Sequence, residues 1–363
     1  MHAPRRKTVY WAVLACLGAL EALGLGSMRA QAAPPDDEAA RRSGAAHLVT
    51  APNASGVAAT LNLAGPIDRN NPFFQSLGSN GRSCATCHLA QEGWTITPQG
   101  VRERFEASHG LEPIFRLNDG ANSPLADVST RAARKLAYSM LLDKGLIRVD
   151  IGIPDGARFE LLKVDDPSNF ASAKELSLFR RPLPTTNDAG RLSTPDARRS
   201  DAEGRDRSVA VARGQALFNG RQIPVSGVKG INDDLHITTL VGSCTTCHDT
   251  PNAGNPSIPM PLNIGVADAS RRTPDMPLYT LRHKETGALI ETADPGRALG
   301  TGRWQELGRF KGPTLRALAV RAPYFHNGAA VDPPAVVKFC NHRFDIGFSE
   351  DEQRDPVSFL KAL

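Results

Sequence analysis

Two pentapeptides carry the clearest chemistry in the chain: Cys84-Ala85-Thr86-Cys87-His88 and Cys244-Thr245-Thr246-Cys247-His248. Each is a C-x-x-C-H pattern, the attachment site of a c-type haem. The two thiols can add across the two vinyl groups of one porphyrin, and the adjacent histidine then reaches the iron as its proximal ligand. Four of the six cysteines and two of the nine histidines fall into these motifs. A four-cysteine zinc site built from both pairs would leave the histidines unexplained. The residues therefore predict two covalently bound haem c groups. Cys84, Cys87, Cys244 and Cys247 attach them, and His88 and His248 ligate iron.

The N-terminus reads as an export leader over 1–32. Arg5, Arg6 and Lys7 precede an apolar run broken by Glu21, and Ala30-Gln31-Ala32 forms an A-x-A cleavage site. The run is short for a membrane anchor. Membrane contact is expected only through the cleaved leader, which also discards Cys16. Export suits haem attachment in an oxidising compartment, and the expected location is the periplasm. The formal charge of +5 owes much to Arg5, Arg6, Lys7 and Arg29. It is therefore no sign of nucleic-acid binding.

A length of 363 residues suits two domains, with one haem motif in each. The 32 glycines and 27 prolines imply much loop around short helices. The polar stretch Thr185–Ser208 marks a boundary. The predicted units are an N-terminal domain over 33–190, a linker over 191–208 and a C-terminal domain over 209–363. Residues 33–70 read as an aperiodic lead-in, and a short helix is expected near Asn71–Gly78. Residues 99–107 read as an amphipathic helix. Residues 127–144 read as another, capped by Ser129 or Thr130, striped by Leu136, Met140 and Leu141, and ended by Gly145. Arg148–Val164 reads as a hairpin turning at Pro154-Asp155-Gly156. A further helix is expected from about Val209.

Several side chains can reach a distal haem face. His109 would close an iron as a second ligand. Glu112 would leave it open and serve as an acid–base group. Met260 and Met276, in proline-rich loops, are candidate iron ligands of the second haem; Met140 on its helix stripe reads rather as core. Trp94 reads as packing or as an electron relay near the first haem.

The sequence resembles the bacterial di-haem cytochrome c peroxidase family, MauG-like enzymes included. The two haem motifs carry the resemblance, with Phe310–Leu318 against an F-K-x-P-x-L-R run and Ala322–Gly328 against A-P-Y-x-H-[DN]-G. The C-terminal helix Val336–Leu360 also matches. The resemblance implies a mainly α fold of two cytochrome-c-like haem domains with long irregular loops. It implies reduction of hydrogen peroxide to water at the His88 haem, with the His248 haem relaying electrons from a small cytochrome c or cupredoxin. It also implies a Ca2+ ion between the domains, and a homodimer is a further expectation. At the position where relatives place a sixth ligand to the second haem stands Cys340, with His342 close by. The family's distal-glutamate segment is shortened to Thr185–Ser208, whose nearest carboxylates are Glu203 and Glu175. Two alternatives stay open. One is a di-haem electron-transfer cytochrome lacking peroxidase activity; the other is a MauG-like oxidase of a partner protein.

Overall fold

A computed structural model of the chain describes residues 47–53, 55–62, 66–76, 78–185, 202–248 and 259–363. The leader over 1–32, with Cys16, and residues 186–201 of the polar stretch lie outside them.

The described chain opens on an antiparallel hairpin, β1 (His47–Asn53) and β2 (Gly56–Asn62). No strand was legible here, because Ala, Thr and Asn dominate and Leu48 and Val57 point to solvent. Helix α1 (Pro98–Ser108) follows the expected pattern. Thr97 caps the Gly100 N–H, Val101 and Phe105 form the buried face, and His109 ends it in the left-handed region. The helix expected over 127–144 is two helices, α2 (Arg131–Ala137) and α3 (Ser139–Lys144). The chain breaks at Tyr138, whose buried ring packs 5.3 Å from that of Phe115. The break turns Leu136 outward, 75% exposed, while Met140 and Leu141 stay buried.

Both halves of the predicted 148–164 hairpin are strands, but they do not pair. β3 (Ile147–Ile151) pairs with β5 (Leu176–Arg180). β4 (Phe159–Asp165) instead joins β8 (Leu278–His283) and β9 (Leu289–Thr292) in a three-stranded sheet. Burial decides the pairing. β5 is buried from Leu176 to Phe179, and Leu176, Leu178, Phe159, Tyr279 and Leu281 close one core. Such long-range pairing leaves no local turn signal.

In the C-terminal half, α4 (Ala202–Gly220) begins well before Val209. The ribbon β6 (Ile223–Ser226) and β7 (Thr239–Gly242) delivers the chain to the single turn α5 (Cys244–Cys247). Short α6 (Ala298–Thr301), then α7 (Pro333–Arg343) and α8 (Arg354–Lys361), complete the fold. Helices α4 and α8 approach so closely that a Cβ on Gly214 would strike the Asp355 carbonyl. Among the described residues helix accounts for 30% and strand for 21%, so the expected mainly α class is wrong. The helices are short, and paired strands form much of the frame between the two motifs. No helix of the described residues is long and apolar enough to cross a membrane.

Two buried polar groups hold this frame. Arg148, 1% exposed, donates to the carbonyls of Leu117, Asn118 and Ala121 and pairs with Asp150. Arg148→Met leaves three carbonyls and a half-buried carboxylate without their donor. Urea denaturation should show a loss of about 3–5 kcal/mol; an unchanged midpoint would refute the bracing role.

The second group is His326, stacked on Phe310 at 4.0 Å between ring centres, with Nε2 3.9 Å from Asp294. Asp294 in turn is clamped by Arg180 at 2.7 and 2.8 Å. Burial lowers the His326 imidazole from 6.5 to about 4. Between those values the unfolded chain binds the proton and the folded chain does not, so stability falls as pH drops through that window. His326→Phe should flatten this slope by up to about 1.4 kcal/mol per pH unit. Denaturation series at several pH values would check it, and an identical slope in the variant would exclude His326 as the source.

Candidate haem sites

Both motifs fold into the same tight turn. In each, the residue before the first cysteine and the threonine before the second form a reciprocal cap. The Ser83 N–H donates to Thr86 Oγ1 at 3.0 Å, and the Ser243 N–H to Thr246 Oγ1 at 2.9 Å. The histidine N–H then closes the turn on the first cysteine's carbonyl, at 3.0 Å for His88 and 2.9 Å for His248. Sequence and geometry thus agree on a local unit that fixes two thiols and one imidazole together.

The surroundings differ. At the first motif His88 Nδ1 lies 2.8 Å from the Trp94 carbonyl. A carbonyl can only accept, so Nδ1 carries the proton and Nε2 keeps its lone pair. Burial lowers the His88 pKa and favours this neutral form. Such an imidazole fits an iron ligand whose other nitrogen is held by a backbone acceptor. Trp94 makes the arrangement possible by adopting a left-handed φ of 58°. Its N–H bonds Leu89 at 2.8 Å, its carbonyl also takes the Thr185 N–H at 3.0 Å, and its indole donates to Thr60 at 2.9 Å. Phe73, in the three-residue turn Pro72–Phe74, lies 5.9 Å from the Trp94 ring and 6.2 Å from the His88 ring. The short lead-in helix therefore packs where it was expected.

At the second motif His248 is half-buried, and its enclosed Nδ1 has no partner among the described residues. Burial pulls its pKa down to about 4. Phe218 of α4 lies 6.5 Å from its ring. Cys340 of α7 packs with Cys244 and Cys247 against Ile223, Val225 and Phe348. Burial pushes the Cys340 thiol up to about 12, helped by the two neighbouring cysteines. The pKa values of Cys87, Cys244 and Cys247 are likewise raised by burial. The residues at both motifs fit covalent haem c.

The other candidates are scattered. Glu112 is half-buried and gripped by Arg104, whose Nη2 lies 2.6 Å from Oε1 and whose Nε lies 2.9 Å from Oε2. The same guanidinium donates from Nη1 to the Thr86 carbonyl at 2.9 Å. As placed, Glu112 braces the haem turn through Arg104. His109 is an exposed helix end. Met276 is buried with Met140, Leu146 and Phe179, and Met260 is 44% exposed. His342 is exposed. Glu203 lies within α4, its side chain outside the described residues. Among the described residues no group of three or more His, Cys, Asp or Glu side chains is disposed to hold a metal ion.

Sequence reasoning missed the buried groups around these turns. Glu92, 6% exposed, accepts the Thr97 N–H at the start of α1, and burial raises its pKa. Arg181 and Arg321 are drawn inside the fold, and burial lowers the pKa of both. In the sequence Arg181 stands in an Arg180-Arg181-Pro182 run and Arg321 directly before the Ala322–Gly328 motif.

No family model matches the chain, and no solved structure matches it. Three relatives among the curated proteins do. Cytochrome-c peroxidase IdrP1 of Denitromonas iodatirespirans is 26% identical over 176 residues, 43% of this chain and 40% of the relative. IdrP2 of the same organism is 28% identical over 144 residues, 36% of this chain and 38% of the relative. The chain thus matches about two fifths of the length of each (40% and 38%). Cytochrome-c peroxidase IdrP1 of Pseudomonas sp. (strain SCT) is 24% identical over 324 residues, 80% of this chain and 77% of the relative. Relatives of this name imply a haem c cofactor. Taken with the two haem turns, these similarities support a cytochrome-c-peroxidase-like family for this chain.

Proposed function

We propose that the chain is a periplasmic di-haem c-type peroxidase that reduces hydrogen peroxide to water with electrons from a small cytochrome c or cupredoxin. The division into haem domains over 33–190 and 209–363, joined by 191–208, belongs to the same reading. The observation that carries it is the His88 imidazole, fixed by the Trp94 carbonyl with Nε2 free beside two thiols. A haem bound there supplies the redox chemistry that cleaves the O–O bond. The chain's own part is to hold His88 neutral and oriented, and to brace the turn through Arg104 and the Thr86 carbonyl. Trp94 spans from this turn to the segment after β5, a position suited to electron relay. His248 would hold the relay haem in its buried pocket.

A second reading is a di-haem electron-transfer cytochrome. It is favoured by the engagement of Glu112 with Arg104, which withholds a carboxylate suited to proton transfer between the peroxide oxygens.

Low-temperature EPR of the oxidised and half-reduced protein separates the two. A peroxidase shows a high-spin ferric signal that cyanide converts to low-spin. Two low-spin signals, neither answering to cyanide, would discard the peroxidase reading in favour of the carrier. In the peroxidase case His88→Gly abolishes peroxide turnover while the His248 haem remains attached. Undiminished turnover in that variant would reverse the roles given to the two motifs.

A further inference from the structure

Arg181 and Arg321 carry charges that no carboxylate among the described residues pairs with directly. Arg181 donates to the carbonyls of Lys144, Ile96 and Arg321 at 2.6, 2.8 and 3.1 Å. Arg321 donates to those of Ala317 and Thr314 at 3.3 and 2.6 Å. Among the described residues neither has a carboxylate in ion-pair contact. Other buried arginines do: Arg148 pairs with Asp150, and Arg309 with Asp233 and Asp234. Glu92 acts on Arg181 only at a distance and is committed to the Thr97 N–H. Burial lowers both guanidiniums to about 10, and the Arg321 charge is further opposed by that of Arg181. Two like charges, Arg321 buried and Arg181 half-buried, with carbonyl partners alone are unfavourable unless an anion joins them. A planar guanidinium fork matches a carboxylate.

Their place says which carboxylate. Arg181 bonds Ile96, and a Cβ on Gly93 would come within 3.1 Å of Arg321 Cγ. Both therefore flank Gly93–Ile96, the loop whose Trp94 carbonyl fixes His88. We propose that Arg181 and Arg321 together receive the propionate carboxylates of the haem attached at Cys84 and Cys87. The assignment rests on the haem reading above. It makes the loop after the first motif and the segment before Ala322 two walls of one haem pocket.

The test uses the haem-loaded full chain as wild type and as Arg181→Gln, Arg321→Gln, the double variant and the two lysine variants. Haem per chain is counted first by pyridine haemochrome; a haem-free wild type would overturn the haem reading and this assignment with it. With haem present, spectroelectrochemistry should show one midpoint potential falling in each glutamine variant and further in the double, because lost positive charge favours the oxidised haem. That haem should be the one whose spectrum is altered in His88→Gly, and lysine should restore part of the fall. The propionate bending band in resonance Raman should shift in the same variants. Unmoved potentials and band in loaded protein, or a response of the other haem alone, would overturn the assignment while leaving the haem reading intact. Where a glutamine variant fails to accumulate, the Raman band of Arg321→Lys decides, and a wild-type band there would count against the pair.

Discussion

The hydrogen bond from His88 Nδ1 to the Trp94 carbonyl is the constraint on which the first half of the molecule depends. To offer that carbonyl, Trp94 takes a left-handed backbone, which costs a bulky residue about 1–3 kcal/mol. The neighbourhood holds it there. The Leu89–Thr95 bridge closes the loop, Thr60 anchors the indole and Thr185 ties the chain beyond β5 to the same carbonyl oxygen. The β1–β2 hairpin contributes directly to this hold. It supplies Thr60, and its Ser55 reaches the Ala319 carbonyl at 3.0 Å. A ribbon without a strong apolar face is retained because it locks the imidazole's tautomer from behind.

The two motif turns share cap, closure and all but one residue (Ala85 against Thr245), so a difference between the groups they would hold must come mainly from what surrounds them. His88 has a fixed acceptor at Nδ1. His248 is equally half-buried, but its Nδ1 is enclosed without a partner among the described residues, and Phe218 and Cys340 pack beside its motif. Low dielectric around the second imidazole and a polar, hydrogen-bonded shell around the first set different electrostatic environments with the same covalent unit. Divided roles for two like motifs therefore need no difference within the pentapeptides.

Legibility in the sequence followed locality. The motifs at Cys84 and Cys244 were readable because thiols and histidine lie within five residues; the Ser and Thr that cap each turn showed only in the structure. Helix α1 was readable because Thr97, Val101 and Phe105 state cap and face on the spot. What failed was long-range: β4 finds β8 across more than a hundred residues, and β3 passes over β4 to reach β5. No local period encodes such choices; burial of Leu176, Leu178 and Tyr279 in one core does. The same holds for the buried charges. Arg104 read as a member of a charged helix face and Glu112 as a loop carboxylate, yet eight residues apart they form one clamp.

That clamp bears on how the molecule can work. With side chains 16% and 33% exposed, the Arg104–Glu112 pair is partly desolvated, and its two-pronged geometry is the kind that holds a carboxylate firmly. Arg104 has a second duty at the Thr86 carbonyl. A carboxylate held this way steadies Arg104, and Arg104 steadies the turn of the first motif. One arginine thus ties a loop carboxylate and the motif's turn together, just as the buried Arg148 ties three carbonyls to the partly exposed Asp150.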